Sequence, residues 1–200
     1  MGVEIIDRSR ADFEAESNRL SAEIDSFFSR LLENNGDARD RLYEAMRHAA
    51  VGGGKRLRPL LTSAAAQLFA IDPERALRVG AAIEAIHVYS LIHDDLPCMD
   101  DDDVRRGKPT VHKAFGEAAA VLAGDSLHAL AFEILADPET HEDPFVRSEL
   151  VLELARAGHA MFAEVANIEH LDVIDLPTGH WPMWSRPRDL AKAIQSAASR

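Results

Sequence analysis

The residues with the clearest chemistry lie in LIHDDLPCMDDDDVRRGKP, residues 91–109, where six aspartates fall within ten residues and two arginines and a lysine follow. Neighbouring carboxylates repel one another and raise one another's pKa unless a positive group lies among them. Hard carboxylate oxygens suit magnesium or calcium, whereas zinc would require Cys or His ligands. Because magnesium keeps only one or two protein carboxylates and completes its coordination with water and substrate phosphate, the segment predicts a magnesium site that holds a diphosphate.

A solvated acidic loop is the alternative, since that is the usual state of a run of like charges. The apolar, helical stretch AIHVYSLI before the aspartates favours a site, because it places Asp94 and Asp95 at the end of a buried helix. An EF-hand is excluded, because its Asp-x-Asp-x-Asp-Gly start with a glutamate at the twelfth position cannot be aligned with this segment.

The two ends of the acidic segment would point in different directions on a straight helix, because each residue advances by about 100°. Pro97 cannot donate to the carbonyl of His93, so we expect the helix to bulge or unwind there and to bring Asp100 towards Asp94. His87 lies two turns before Asp94 on the same face, about 10.5 Å along the axis. A histidine of this kind is either an ordinary core residue or a hydrogen-bond donor to phosphate.

A second charged stretch, VGGGKRLRP, covers Val51–Pro59 and sets Lys55, Arg56 and Arg58 between a glycine run and the start of a helix. The free amides of a helix N-terminus together with Lys and Arg side chains form an anion site. Glycines that only cap a helix and turn the chain are the alternative. A Walker A loop is excluded, because Ala49 and Arg56 stand where its first glycine and its Ser or Thr should be.

Arg105 and Arg106 form a third cluster, directly after the aspartates. If they only offset the acidic charge at the surface, they contribute at most about 1 kcal/mol to stability. Bidentate guanidinium contact with phosphate oxygens is the other interpretation.

The fold class is predicted from periodicity. Apolar residues recur every three or four positions and period-two alternation is absent, which indicates an all-α chain. The 200 residues, 46% of them apolar, are enough for one domain with a core. Helices are predicted at about 12–33, 40–51, 60–69, 73–93, 115–135, 144–166 and 190–199. Asp72 and Pro73 are the expected N-cap and first residue of the fourth helix. The apolar face of the first helix is predicted to contain Leu20, Ile24, Phe27, Phe28, Leu31 and Leu32.

Composition excludes several classes of protein. A formal charge of −12 argues against a nucleic-acid partner, since affinity for phosphate backbones comes from Lys and Arg. Cys98 is the only cysteine, so we expect no intrachain disulfide and a reducing, cytoplasmic location. The first residues form no apolar signal region and no 18 apolar residues run uninterrupted, so we expect no export and no membrane span.

Three stretches together resemble the trans-isoprenyl diphosphate synthases, the family of the farnesyl and geranylgeranyl diphosphate synthases. They are GGGKRLRPLL, EAIHVYSLIHDDLPCMDDDDVRRGKPTVHKAFG and AVLAGDSLHALAFEIL, and the similarity covers roughly residues 42–160. The form DDLPCMD is similar to the bacterial farnesyl type and the related geranylgeranyl type. The resemblance implies a helical bundle around a central cavity, and a homodimer.

The implied reaction condenses an allylic diphosphate, dimethylallyl or geranyl diphosphate, with isopentenyl diphosphate. By resemblance, Asp94 and Asp100 hold Mg2+, Asp95 supports them, and Arg105 binds the allylic diphosphate. Tyr89 is implied to lie near the cavity floor that limits product length. The residues implied to bind isopentenyl diphosphate are Lys55, Arg58, His87 and Arg106.

The family also has a second Asp-rich motif, and residues 161–200 do not resemble that part of it. Asp172 and Asp175 in LDVID lack the paired aspartates of that motif. We therefore expect one domain with a family-like portion to residue 160 and a divergent tail. A shortened chain, a shifted reading frame near residue 160 and a divergent relative without catalysis are the three explanations, and we expect little or no turnover.

Two other functions compete. A class I terpene cyclase has the same fold and an aspartate motif but needs no second diphosphate site, so GGGKRLRP and Arg106 count against it. A catalytically silent subunit that alters the product length of an active partner is favoured by the missing motif. The intact Asp94, Asp100, Arg105 and Arg106 count against that subunit.

Overall fold

The computed structural model describes residues 2–34 and 36–166, and the side chains within them from residue 12 to residue 157. These residues form seven helices and one two-stranded hairpin, which confirms the all-α prediction. The elements are α1 (Gly2–Leu31), α2 (Asp40–Ala50), α3 (Leu57–Leu68), α4 (Pro73–Asp94), β1 (Val104–Arg105), β2 (Lys108–Pro109), α5 (Val111–Phe115), α6 (Glu117–Ala136) and α7 (Pro144–Ala166).

The chain divides into two compact units, Met1–Leu154 and Ala155–Arg200. The first unit holds the core and every predicted site residue. Of the second, the structure describes only the last turns of α7. Asp172 and Asp175, like the rest of the tail from residue 167, lie outside the described residues.

The first unit is built around α4, which packs chiefly against α6 and α3. As predicted, Asp72 caps this helix: its carboxylate accepts from the amides of Glu74 at 2.8 Å and Arg75 at 3.3 Å. Small residues bring the neighbouring helices close. A Cβ on Gly80 would lie 3.1 Å from the Cα of Pro59, and one on Gly124 would lie 2.1 Å from Nε2 of His93.

The core is apolar and is filled from α1, α4 and α6. Each large side chain that leaves water contributes about 1.5–3 kcal/mol of hydrophobic stabilisation. On α1 the predicted apolar face is buried, except that Leu31 is exposed. The largest fully buried apolar side chains are Ile24, Phe28, Leu32, Val88, Ile92 and Leu127.

Three predicted boundaries differ from the structure. The first helix begins at Gly2, ten residues earlier than its periodicity indicated. The third begins at Leu57, so Pro59 lies inside its first turn, where the missing amide is tolerated because first-turn amides have no helical partner. The helix predicted at 115–135 is α6, which begins two residues later at Glu117, and the short α5 before it was not predicted; Gly116, with a φ of 92°, separates the two.

The hairpin escaped the sequence analysis because each strand has only two residues, too few to show alternation. Val104 pairs with Pro109 and Arg105 with Lys108. Its two turn residues, Arg106 and Gly107, have φ values of 54° and 77°. Positive φ at both central positions is the conformation that matches the twist of two-residue hairpins.

Among the described helices, α6 is long and apolar enough to cross a membrane, with a mean hydropathy of 1.4 over 18 residues. Length and composition alone do not separate a membrane span from a core helix. Ala123, Leu127 and Ala131 on α6 are fully buried, and the helix packs chiefly against α4. These contacts are those of a core helix.

Candidate active site

The acidic segment begins where α4 ends. The helix stops at Asp94, three residues before Pro97, and the chain turns back so that the amide of Asp100 donates to the carbonyl oxygen of Asp94 at 2.8 Å. The predicted approach of Asp100 to Asp94 is therefore confirmed for the main chain, although the helix ends rather than bulges. Asp94 and Asp95 are 7% and 3% exposed, whereas Asp100 is exposed.

Asp95 pairs with Arg105 rather than facing solvent. Nε and Nη2 of Arg105 both lie 2.6 Å from Oδ1 of Asp95, and Nη2 also donates to Oδ2 of Asp102 at 3.1 Å. Burial raises the pKa of Asp95, and the hydrogen bond from Arg105 opposes that effect. This pairing orients the guanidinium of Arg105, whose side chain stays 30% exposed.

The glycine run lies against Arg106. A Cβ on Gly54 would come within 2.6 Å of Cζ of Arg106, and a Cβ on Gly53 within 3.1 Å of its Cδ. Gly52 and Gly54 also have φ values of 74° and 88°. The glycines therefore do more than cap a helix: they let the arginine lie directly over the main chain.

The pKa of His87 reflects the positive charges around it. Burial, and then the positive charge of nearby arginines, lowers the pKa of His87 from 6.5 to about 3. Those arginines, in order of effect, are Arg58, Arg106, Arg105 and Arg56. The structure thus brings together four of the predicted residues, His87, Arg58, Arg105 and Arg106, whereas Lys55 is exposed in the turn before α3.

Arg56 has a different place from its neighbours. Sequence grouped it with Lys55 and Arg58, but its side chain is only 1% exposed. Nη1 donates to Oε1 of Glu84 at 2.9 Å, and Nη2 donates to Oδ1 of Asp25 and to the carbonyl of Ala50, each at 2.5 Å. This arginine joins α1, α2 and α4 at the start of α3, so its guanidinium serves the fold rather than a ligand.

Tyr89 belongs to a row of rings between α4 and α6. Its ring centroid lies 5.7 Å from that of His93 and 5.0 Å from that of His128, which in turn lies 5.2 Å from Phe132. All three pairs are edge-to-face. Two of its members are four residues apart on α4 and two are four residues apart on α6, and the row was not predicted because the contact between the two helices leaves no signal in the sequence.

A small cavity of about 40 Å³ opens between the end of α2, α4 and the hairpin. Its apolar wall includes Val88, Leu91 and Ile92 of α4. Arg106 and Lys108 also line it, and Nζ of Lys108 donates to the carbonyl of Val51 at 3.3 Å. An apolar wall with several cations suits a small ligand that has an anionic end.

Sequence analysis missed a candidate metal cluster. One ligand atom from each of Asp101, Asp103 and His112 lies within 4.8 Å of the other two. An Asp-x-Asp pair followed nine residues later by histidine was the available signal. This cluster, found among the residues that the structure describes, does not include Asp94 and Asp100, the aspartates predicted to hold magnesium.

Comparison with known families extends these observations. Residues 39–183 match the model of the polyprenyl synthetase family. The chain belongs to the polyprenyl synthetase family. The match continues past residue 160, so similarity to the family extends further along the chain than its recognisable motifs.

Similar proteins agree with the family assignment. The farnesyl diphosphate synthase of Geobacillus stearothermophilus is 46% identical over 143 residues, which are 70% of this chain and 48% of that protein. The farnesyl diphosphate synthase of Escherichia coli K12 is 52% identical over 116 residues, 58% of this chain and 39% of that protein. The chain thus spans about half, or less, of the length of these curated relatives.

Solved structures show the same helical fold. The apo crystal structure of an FPP/GFPP synthase from Zymomonas mobilis has a TM-score of 0.74 and 53% identity, and the match covers 84% of this chain and 62% of that chain. At this identity the likeness extends beyond fold class. It supports comparison of the two chains segment by segment over the shared portion.

Proposed function

We propose that this chain carries the diphosphate-binding site of a trans-prenyltransferase. The reaction joins an allylic diphosphate, dimethylallyl or geranyl diphosphate, to isopentenyl diphosphate and gives farnesyl or geranylgeranyl diphosphate. The observation that carries the proposal is the group of cations near the end of α4: Arg105 is held by Asp95 with its side chain 30% exposed, and Arg106 lies against Gly53 and Gly54. Burial, and then the charges of Arg58, Arg106 and Arg105, lowers the pKa of His87 to about 3. Such concentrated positive charge is costly without an anion to receive it.

Asp94 and Asp100 are the residues that would hold Mg2+. Their hard oxygen donors fit this ion, and the 2.8 Å hydrogen bond between their main chains keeps the two residues together at the end of α4. When bound, the ion neutralises charge on the departing diphosphate. Asp95 contributes differently, by holding Arg105 through its two 2.6 Å contacts.

The protein groups then divide the work between two diphosphates. Arg105 binds the allylic diphosphate and stabilises the negative charge that develops as the allylic carbon–oxygen bond breaks. Lys55, Arg58, His87 and Arg106 hold the diphosphate of isopentenyl diphosphate, so that its alkene faces the allylic carbon. The new carbon–carbon bond forms from the alkene electron pair, and a proton is then lost from the adjacent carbon.

His87 is neutral at pH 7 in the ligand-free chain, since its pKa is about 3. It therefore donates one ring N–H to a phosphate oxygen without adding a further charge. Binding of a diphosphate offsets the charges of Arg58 and Arg106, so the pKa of His87 rises in the complex.

Tyr89 lies one turn of α4 before His93, near the end of the helix, and its ring is edge-to-face with those of His93 and His128. We propose that this ring limits the length of the growing hydrocarbon chain. A smaller side chain at this position would give longer products. Apolar walls around the chain also exclude water, which would otherwise capture the allylic cation.

The proposal includes a cytoplasmic homodimer. Exposed Val121 and Leu122 on α6 provide apolar surface that a second copy could cover. The single cysteine, Cys98, is exposed and free, in keeping with a reducing compartment. A terpene cyclase would need no second cationic cluster, and the contact of Arg106 with Gly53 and Gly54 supports one here.

The test is calorimetric titration of the full chain with isopentenyl diphosphate in the presence of MgCl2. We expect saturable binding that Arg106→Ala weakens at least about tenfold, the loss typical of a charge-assisted contact worth more than 1.4 kcal/mol. Arg39→Ala is the matched control, because Arg39 lies at the surface in an exposed ion pair with the nearby Asp37. Equal binding by both variants would contradict the proposal.

A further inference from the structure

A cluster outside the proposed diphosphate site contains three potential metal ligands. Asp101 and Asp103 are exposed in the loop after Asp100, and His112 is buried at the start of α5, with 6% of its surface exposed. One ligand atom from each lies within 4.8 Å of the other two. None of the three has a role in the proposed function.

The ring of His112 is held in one tautomer. Thr110 Oγ1 donates to the carbonyl of Asp102 at 2.8 Å, so this hydroxyl accepts from His112 Nδ1, which lies 3.1 Å away. The proton therefore resides on Nδ1, and Nε2 presents a lone pair. A carbonyl-anchored partner on one ring nitrogen is the arrangement that prepares the other nitrogen to bind a metal.

Nε2 of His112 is a second, independent indication of a ligand. It is fully buried and has no hydrogen-bond partner in the described part of the chain. A buried polar atom left in this state destabilises the folded chain. A cation bound at this nitrogen would remove that cost.

We propose that Asp101, Asp103 and His112 bind a divalent transition-metal ion at a site separate from Asp94 and Asp100. One imidazole nitrogen with two carboxylate oxygens suits Mn2+, Co2+ or Zn2+ better than Mg2+, which prefers oxygen alone. Metal–ligand bonds of about 2.0–2.2 Å place neighbouring donors roughly 3–3.5 Å apart, so the two exposed aspartates move inwards on binding.

Lys113 competes with the ion. Its Nζ lies 2.7 Å from Oδ1 of Asp103, and this contact lowers the pKa of Asp103, which keeps the carboxylate ionised. The ammonium must leave Asp103 before that oxygen can join a metal. Binding of the metal ion therefore displaces the Lys113 ammonium from Asp103.

The bound ion would link the loop after Asp100 to α5. Between these ends lie β1 and β2, which carry Arg105. An ion at this position closes the base of the hairpin and restrains the segment from which Arg105 reaches Asp95. This inference depends on the described residues alone and stands apart from the proposed reaction.

The experiment uses the full chain, stripped of metal with a chelator and titrated with CoCl2 without any diphosphate, with the visible absorption of Co2+ as the readout. We expect one bound ion. The Asp101→Asn, Asp103→Asn double variant, whose changes lie on exposed side chains, should weaken binding at least about tenfold. Thermal unfolding confirms that the variant is folded.

Two further variants make the test decisive. Asp94→Asn with Asp100→Asn should leave Co2+ binding unchanged, and Lys113→Gln should tighten it several-fold because the competing ammonium is gone. Wild-type affinity in the Asp101, Asp103 variant, or loss of binding in the Asp94, Asp100 variant, would overturn the proposal.

Discussion

Two arginines in this molecule pair with buried carboxylates, and they do so for different purposes. Arg56 is 1% exposed and directs its donors to Glu84, Asp25 and the carbonyl of Ala50. Arg105 binds the buried Asp95 but stays 30% exposed. The first joins four helices, whereas the second is held in place with part of its guanidinium accessible. A carboxylate partner can therefore either bury an arginine within the fold or hold it in one orientation while it stays partly exposed.

The largest effect should come from Arg56→Met. The change leaves Glu84 buried without its cation, which we expect to lower the free energy of unfolding by about 3–5 kcal/mol. Urea unfolding followed by circular dichroism measures the loss. Arg39→Met, at an exposed pair, should have no measurable effect, and a similarly small loss for Arg56→Met would remove the contrast between the two arginines.

His87 lies near both arginines: burial lowers its pKa most, and the charges of Arg58, Arg106, Arg105 and Arg56, in that order, lower it further. Its folded-state pKa of about 3 lies below the unfolded value of 6.5, so between these pH values the unfolded chain binds more protons and stability falls as pH falls. We expect His87→Asn to abolish about 1–3 kcal/mol of the decline in stability between pH 7 and pH 4. Urea unfolding at several pH values checks this, and an unchanged pH profile would refute it.

Arg105→Gln should separate ligand binding from stability. We expect at least about tenfold weaker binding of inorganic pyrophosphate with Mg2+, equivalent to about 1.4 kcal/mol. The loss of unfolding free energy should be clearly smaller than for Arg56→Met, because Asp95 can take up a proton when its cation is removed. Calorimetry and urea unfolding on the same sample measure both quantities. A large stability loss with unaltered binding would place Arg105 in the same class as Arg56.

The smallest effect should come from Gly54→Ala. At a φ of 88° the substitution costs about 1–2 kcal/mol of strain, and its Cβ would also displace the guanidinium of Arg106. Gly36→Ala is the matched control, since Gly36 has a φ of 76° and a Cβ added there would meet no atom within 4 Å. We expect both to lose stability and only Gly54→Ala to bind isopentenyl diphosphate a few-fold more weakly.

Much of the fold could be read from the sequence because its signals are local. The Asp72 cap, the start at Asp40 and the start at Pro144 are all where capping and periodicity predicted them. The short helix α5 was missed, since its five residues are too few to show a helical period. The hairpin was missed because it is held by two residue pairs, which leave no periodic pattern.

The sequence identified most of the charged residues of the candidate site, but it did not indicate which of them lie together. Asp94, Asp95, Arg105 and Arg106 stood out by charge density, and their proximity follows from their closeness in the chain. The Asp101, Asp103 and His112 cluster did not stand out, because the nitrogen of His112 that is left for a metal depends on which ring nitrogen contacts Thr110. That contact lies at the start of α5, where Thr110 is the N-cap residue.

The amino-acid sequence by itself determined the helical class, the order of the charged segments and the kind of atoms they offer, because periodicity and residue chemistry are properties of short stretches. Only the tertiary structure decided which cations are buried in ion pairs and which stay partly exposed. Arg56 and Arg58 are two residues apart, yet one is sealed against Glu84, 28 positions away, and the other acts on His87. The physical reason is that the direction of a side chain depends on a left-handed backbone at Arg56 and on a buried carboxylate that folding alone brings to it.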